Sequence, residues 1–266
     1  MRIAGIYIIL LCGLLFSCTN REKLVDKSKL SGRDYRLLQG TPAWELAKAV
    51  EDEDVKKIGE IISKEPDIVN YQEPKYGNTL LKITVMNQQM KSFKALLENR
   101  ADVNIHNTYT GASALIEACS FERYDLEYAE LLLKNGANVN DVETGKRQKG
   151  NSTRFSPLMA ASQSGKLELV KLLVENGANV NCRNEYEQTA LSRAVMVGRY
   201  HVALYLLQQG ADYEQPIFYR PDYSVPSDLQ DPNDKGKPMY LVDVLREDFM
   251  DSDMEEYKYK MQIVEF

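Results

Sequence analysis

Apolar and polar positions between residues 76 and 214 recur in one repeating order. Four stretches, LLENRADVN (96–104), LLLKNGANVN (131–140), LLVENGANVN (172–181) and YLLQQGADYE (205–214), run in the same sequence. Each has leucines at a helix end, two polar residues, glycine in three of the four, alanine, Asn or Asp, an apolar or aromatic residue, and a polar one. A second shared stretch precedes each: GNTLLKIT (77–84), GASALIEA (111–118), FSPLMAA (155–161) and EQTALSRA (187–194). Self-similarity of this kind marks a repeat architecture. The closing residues Asn70, Asn104, Asn140, Asn181 and Glu214 lie 34, 36, 41 and 33 residues apart. The excess in one unit falls in Phe121–Tyr128, near the turn between two helices. In the next it falls in Asp141–Phe155, which predicts an enlarged loop. An earlier unit fits 42–70, where Trp44, Leu46, Ala49, Val55, Ile58, Ile61 and Ile62 recur at helical spacing and Pro66 to Asn70 close it. After a Pro/Asp-rich stretch at 215–238 come two more helical patterns. One is Tyr240–Arg246; the other sets Met254, Tyr257, Met261 and Val264 on one face.

Together these blocks resemble the ankyrin repeat, whose signature is G-x-T-P-L-H-x-A followed by a helix ending L-L-x-x-G-A-D-V-N. The fullest match is Ser156-Pro157-Leu158-Met159-Ala160-Ala161, then Gly165, Leu172-Leu173 and Gly177-Ala178-Asn179-Val180-Asn181. The resemblance implies an all-α fold, an ankyrin-repeat solenoid of stacked helix-turn-helix units joined by β-hairpin-like loops. Its domain would span 41–266, with units at about 42–75, 76–110, 111–154, 155–186 and 187–214, a long loop at 215–238 and a C-terminal cap at 239–266. The residues have physical roles in such a unit. Thr79, Ser113, Ser156 and Thr189 can cap the first helix through a side-chain oxygen. Pro157 suits the first helical turn, where its missing N–H is no loss. Gly136, Gly177 and Gly210 can end the second helix in a left-handed conformation, whereas Arg100 holds that place in its unit and predicts a strained cap costing roughly 1 kcal/mol. Leucine pairs such as Leu96-Leu97 and Leu172-Leu173 would stack on neighbouring units, with Ala118, Ala161 and Ala194 allowing close approach.

The first residues follow another pattern. Met1-Arg2 gives a positive start, and Ile3 to Phe16 is an almost unbroken apolar run. That length is short of the roughly 20 residues a membrane span needs, and suits the apolar core of a secretory signal. Leu15-Phe16-Ser17-Cys18 resembles the lipobox of bacterial lipoproteins, with an aliphatic residue three before the cysteine and a small residue just before it. Phe16 departs from the pattern, which more often has a smaller residue. The resemblance implies a signal peptide at 1–17, acylation at Cys18 and a place in the bacterial cell envelope, lipid-anchored, with the outer membrane favoured. The alternative is a plain cleaved signal, or an uncleaved anchor, with Cys18 incidental. Residues 18–40 are polar, charged and without sustained periodicity, and predict a flexible lipid-attached linker.

Composition narrows the function. Across 266 residues the net charge is −6 and no basic run stands out, so a nucleic-acid footprint is absent. Beyond Cys12 and Cys18, only Cys119 and Cys182 remain, which make no disulfide framework. Cys119 reads as a small core residue, and Cys182 falls in a hairpin with no adjacent basic group to activate it. His106, in a predicted hairpin, and His201, at the start of a second helix, have no partner at metal-ligand spacing and read as surface residues. Gly145-Lys146-Arg147 and Gly150 lack the order of a phosphate loop. No catalytic residue, cofactor or metal is implied.

Binding chemistry is better supplied. Tyr71, Tyr76, Tyr109, Phe155 and Tyr186 place an aromatic in every predicted hairpin, and rigid aromatics on scaffolded loops serve as interface anchors. They could equally pack against neighbouring hairpins. Lys146, Arg147, Lys149 and Arg154 make the 141–155 insertion basic in an acidic protein, suited to an acidic partner surface or to a solvated loop. In ankyrin proteins the concave face, made of hairpin tips and first helices, is the usual contact surface. The resemblance therefore implies a monomeric, non-catalytic module holding a protein partner. Two versions stay open, an envelope adaptor and an immunity or inhibitor protein that blocks a toxin. A third reading is an enzyme or metal-binding accessory protein with a site in the 141–155 or 215–238 loops.

Overall fold

The structure, a computed structural model, describes residues 21–121, 123–145, 154–220, 236–248 and 254–266. Ten helices pair into five helix-turn-helix units: α1 (Trp44–Glu51) with α2 (Val55–Lys64), α3 (Leu80–Asn87) with α4 (Met90–Glu98), α5 (Ala114–Cys119) with α6 (Leu126–Lys134), α7 (Pro157–Ser164) with α8 (Leu167–Glu175), and α9 (Ala190–Met196) with α10 (Tyr200–Gln208). A sixth pair, α11 (Leu241–Glu247) and α12 (Glu255–Glu265), closes the stack. The first helices pack on one another in order, α1 to α9, and the second helices form a parallel layer in which α12 lies on α10. The chain is thus an all-α solenoid of two helical layers.

Local chemistry sets the start and end of each unit. Thr79 Oγ1 accepts from the Lys82 N–H, Ser113 Oγ from Ile116, Ser156 Oγ from Met159 and Thr189 Oγ1 from Ser192, at 3.2–3.4 Å. Each such cap is worth about 1 kcal/mol. Gly136, Gly177 and Gly210 end the second helices with φ of 86°, 87° and 82°, and Arg100 adopts 62° in the same role. Between them, Leu81, Leu115, Leu158 and Leu191 from the first layer and Leu96, Leu132, Leu173 and Leu206 from the second are fully buried. At roughly 1.5–3 kcal/mol per side chain, these two leucine rows outweigh the caps and supply the main drive for stacking.

An amide ladder then fixes the register between units. Asn104 Nδ2 donates to the Gly136 carbonyl (3.1 Å) while its Oδ1 accepts from Asn138 N (2.9 Å). Asn140 repeats this with Gly177 O and Asn179 N (3.0 and 2.7 Å), and Asn181 with Gly210 O and Asp212 N (3.1 and 2.8 Å). Asn70 starts the series by accepting from Asp102 N at 2.8 Å. The hairpins join too: Thr108 N donates to Tyr76 O (2.9 Å), and Thr144 N and Gly145 N to Gly111 O and Thr110 O (3.0 and 3.1 Å). Gly111 is obligatory there, because a Cβ on it would lie 1.8 Å from Gly145 N.

Three expectations need correction. Residues 21–40, expected as part of a flexible linker, are folded. Two 3₁₀ turns, Lys27–Lys29 and Tyr35–Leu38, are capped by Asp26 and Asp34, and Tyr35, Leu37 and Leu38 are buried. This strap follows α3 from its start to its end. Leu30 O accepts from Tyr76 Oη (3.0 Å), Gly32 O from Asn78 (3.0 Å), Arg33 O from Asn87 (2.9 Å), and Tyr35 Oη bonds Gln89. Arg21 clamps Asp52 bidentately at 2.9 and 2.7 Å. The apolar residues that dock it are too few for a periodicity to be legible; what holds them is the open side of the first units. Second, the ends of the expected loop 215–238 pair as a two-stranded antiparallel ribbon, β1 (Phe218–Arg220) with β2 (Lys237–Met239). Third, His201 is no surface residue. Its ring bonds the Glu256 carboxylate and, at 2.7 Å, the Gly165 carbonyl, clasping α12 to α10 beside the Tyr200–Asp248 bond.

Two substitutions test the stack by chemical denaturation. Arg100→Gly, which frees an exposed residue from a left-handed conformation, is expected to stabilise by about 1 kcal/mol. Asn140→Ala, which removes two bonds between units, is expected to cost roughly 1–2 kcal/mol. An unchanged stability for Asn140→Ala would mean that the amide ladder does not hold the units together.

Candidate functional surface

The hairpin aromatics divide into two groups. Tyr71 packs against the core behind a 3₁₀ turn. Tyr76 is covered by the strap, giving its hydroxyl proton to Leu30 O, with Lys75 Nζ 4.5 Å from its ring centroid. Phe155 packs on the core beneath the Arg193 guanidinium, 4.7 Å from its centroid. All three are partly buried and pack within the fold, the alternative their sequence positions left open. Tyr109, stacked edge-on against Tyr76 at 5.5 Å, is 42% exposed, and Tyr186 is 51% exposed. Lys146, Arg147, Lys149 and Cys18 lie outside the described residues. Arg154 sits at the edge of that insertion, 3.7 Å from Glu185.

Other exposed apolar residues join Tyr109 and Tyr186. Phe121 follows α5, Val142 lies in the third hairpin, and Met196 and Val197 end α9. With Tyr109 and Tyr186 they sit on the hairpins and the far ends of the first helices, from the second hairpin onward. The strap covers the corresponding side of α3. Sequence reasoning missed Phe121, Met196 and Val197, although a signal exists: each is apolar where a first helix ends and a polar residue would serve.

Polar groups between these residues are held rather than free. Arg193 Nε donates to Gln163 Oε1 at 3.1 Å, and burial pushes its guanidinium below the ordinary range. Arg123 lies 5.2 Å from the Phe121 ring and 5.4 Å from Tyr124, and Lys166 donates to Tyr124 O at 2.8 Å. Lys82 is buried; desolvation lowers its pKa while Glu117, 3.7 Å away, and the Ala112 carbonyl at 3.1 Å hold its ammonium. The surface ends in a groove of about 600 Å³ between α9 and the C-terminal cap. Val195, Met196, Val197, Phe218 and Val244 give it an apolar floor, and the Arg220–Glu247 pair and Asp248 give it a charged rim. This arrangement can take an apolar side chain beside a polar group.

Nothing among the described residues assembles a reacting centre. No group of three His, Cys, Asp or Glu side chains could hold a metal ion there. His106 bridges to Asp141 at 2.8 Å, one hairpin to the next. Cys119 is buried, which pushes its thiol up and keeps it inert. No described helix is long and apolar enough to cross a membrane. Of the loops 141–155 and 215–238, where the rival reading put a site, residues 146–153 and 221–235 lie outside the described residues.

Comparison with known proteins agrees with the repeat. A family model described as ankyrin repeats (3 copies) matches residues 46–143 and 141–216, more than half of the chain. No curated protein matches.

The division of the aromatics has a direct test. Tyr76→Ala removes ring packing and the strap bond and is expected to cost roughly 2–3 kcal/mol, whereas Tyr186→Ala is expected to stay within about 0.5 kcal/mol. Equal losses in urea denaturation would return both rings to a single class.

Proposed function

Since the chain belongs to the ankyrin-repeat family, whose repeats mediate contacts between proteins, we propose that it is a non-catalytic, monomeric module that holds one protein partner. The partner lies across the third to fifth units, on the hairpins and first helices. The observation that carries this is the row of exposed apolar residues Tyr109, Phe121, Val142, Tyr186, Met196 and Val197, ending in the groove between α9 and the cap. Scattered single apolar residues on a surface need no explanation, but six along one run of hairpins and first-helix ends suit a contact surface. Aromatic and methionine side chains are the types enriched at the centre of protein interfaces. Partner specificity then comes from Arg123, Gln163, Lys166 and Arg193, whose side chains are already oriented by the fold and lose little freedom on binding.

The reading places the module in a bacterial envelope, attached through acyl chains on Cys18 and favouring the outer membrane. Support comes from the apolar run and from Leu15-Phe16-Ser17-Cys18. Acyl chains each add about 0.8 kcal/mol of anchoring per buried methylene, so two or three hold a soluble body durably.

Affinity capture from membranes tests the surface. A Tyr109→Ala, Phe121→Ala, Tyr186→Ala, Met196→Ala variant is expected to lose the captured partner while keeping the wild-type unfolding midpoint to within a few degrees. An unchanged partner set from a folded variant would sink the assignment. Fatty-acid labelling checks the anchor separately, since Cys18→Ala is expected to abolish incorporation and continued labelling would remove Cys18 as the site.

A further inference from the structure

The strap carries charge in an unequal way. Between residues 21 and 40 there are six basic residues and three acidic ones, in a chain of net charge −6. Each carboxylate is already engaged. Glu22 takes Lys48 at 2.7 Å and the Trp44 indole N–H at 3.1 Å. Asp26 caps its own turn and faces Lys29 at 3.6 Å, and Asp34 holds Arg36 at 2.7 Å. Arg21 is spent on Asp52 and Glu51. What remains is cationic. Lys27 donates to the Gln39 carbonyl, and Lys75 to the Ser28 and Leu30 carbonyls. Lys23 and Arg33 line one groove together, and beside Lys23 is Leu24, 83% exposed and on the same rim.

Covalent geometry says where this face stands. Only Thr19 and Asn20 separate Cys18 from Arg21, a span of about 10 Å at full extension. The Debye length at physiological salt is about 8 Å. A flexible linker running to residue 40 could hold the body far outside that range; a strap folded from residue 21 cannot. We infer that the outward face of the strap, centred on Lys23, Leu24 and Arg33, is a second membrane contact that lies against anionic lipid headgroups. Its position near a bilayer rests on the Cys18 anchor, whereas its affinity for anionic lipid does not. Lys23 and Arg33 each contribute roughly a fivefold gain in partitioning at an anionic surface, and Leu24 inserts beside them. Acyl chains alone would leave the solenoid free to swivel; the strap sets the first units down on the membrane and orients the open units away from the attachment point.

Vesicle flotation of the chain from residue 19 onward, which keeps every described element and lacks Cys18, tests this without lipidation. The protein is expected to float with vesicles of phosphatidylglycerol and phosphatidylcholine at low salt, and to be released by salt. It is expected to stay in solution with phosphatidylcholine alone. Lys23→Glu with Arg33→Glu is expected to lower partitioning into the anionic vesicles by roughly twentyfold or more, with an unchanged circular dichroism spectrum because neither side chain supports the fold. Equal binding to both vesicle types, no binding to either, or an anionic preference unaffected by the double reversal would each overturn the inference. If fatty-acid labelling fails while anionic binding holds, only the lipid anchor is lost.

Discussion

No helix pair in this chain can cover its own apolar face, and everything else in the structure follows from the need to stack. Leu96, Leu132, Leu173 and Leu206 occupy one position in successive second helices, and Leu81, Leu115, Leu158 and Leu191 one position in the first; all are fully buried. Hydrophobic burial is non-directional, so it drives stacking without choosing a register. Direction comes from the amides. Asn104, Asn140 and Asn181 each give a proton to the glycine carbonyl that ends the next unit's helix and take one from the hairpin beyond it. One amide thus satisfies a helix-end carbonyl and a hairpin N–H that would otherwise need water.

A stack has two ends, and each is closed by different chemistry. At the first end the strap lays Tyr35, Leu37 and Leu38 on the opening units and ties its backbone carbonyls to Tyr76, Asn78 and Asn87. At the other, α12 covers α10 and is held by side chains: His201 to Glu256, Tyr200 and Lys260 to Asp248. The two His201 ring nitrogens bond in opposite directions, one to the Glu256 carboxylate and one to the Gly165 carbonyl, so one side chain joins α12 to the turn that follows α7. The ends differ because of what they leave open. The strap covers part of the early units, while the C-terminal cap packs on α10 and leaves the groove beside Met196 and Val197.

How much of this the sequence displays depends on how many times a feature repeats. The helix pairs, their caps and the left-handed residue at Arg100 were legible because four blocks keep register and each position has one physical task. The C-terminal helices were legible as elements but not by face: α12 buries Lys260 and Ile263 and exposes Met254, Met261 and Val264, the residues its apolar period had set together. The strap was not, since three buried apolar residues in a single 3₁₀ turn have no periodicity and polar composition reads as linker. His201 was misread for a related reason. Its partner Glu256 is 55 residues away on an element with no repeat to index it. Candidate site residues were legible by type and only partly by exposure. Tyr76 and Tyr186 hold equivalent places in their hairpins, yet a neighbour covers one ring and leaves the other in water.

That asymmetry explains how a regular scaffold acquires one binding region. Ile83, Glu117, Ala160 and Arg193 are equivalent positions on successive first helices, and stacking makes no demand on them beyond size. Ile83 is fully buried on α3, the helix the strap follows, while Glu117 anchors Lys82 and Tyr124, and Arg193 spans Phe155 and Gln163. Going along the stack, the side that meets the strap is apolar and closed, the middle is a fixed polar network, and the last unit exposes Met196 and Val197. A partner that needs an apolar anchor finds one only where the chain has not already folded over the surface. The strap therefore does two jobs with one set of contacts. Its inner side completes the core of the first units, and in doing so it covers Tyr76, whose counterpart Tyr186 stays exposed.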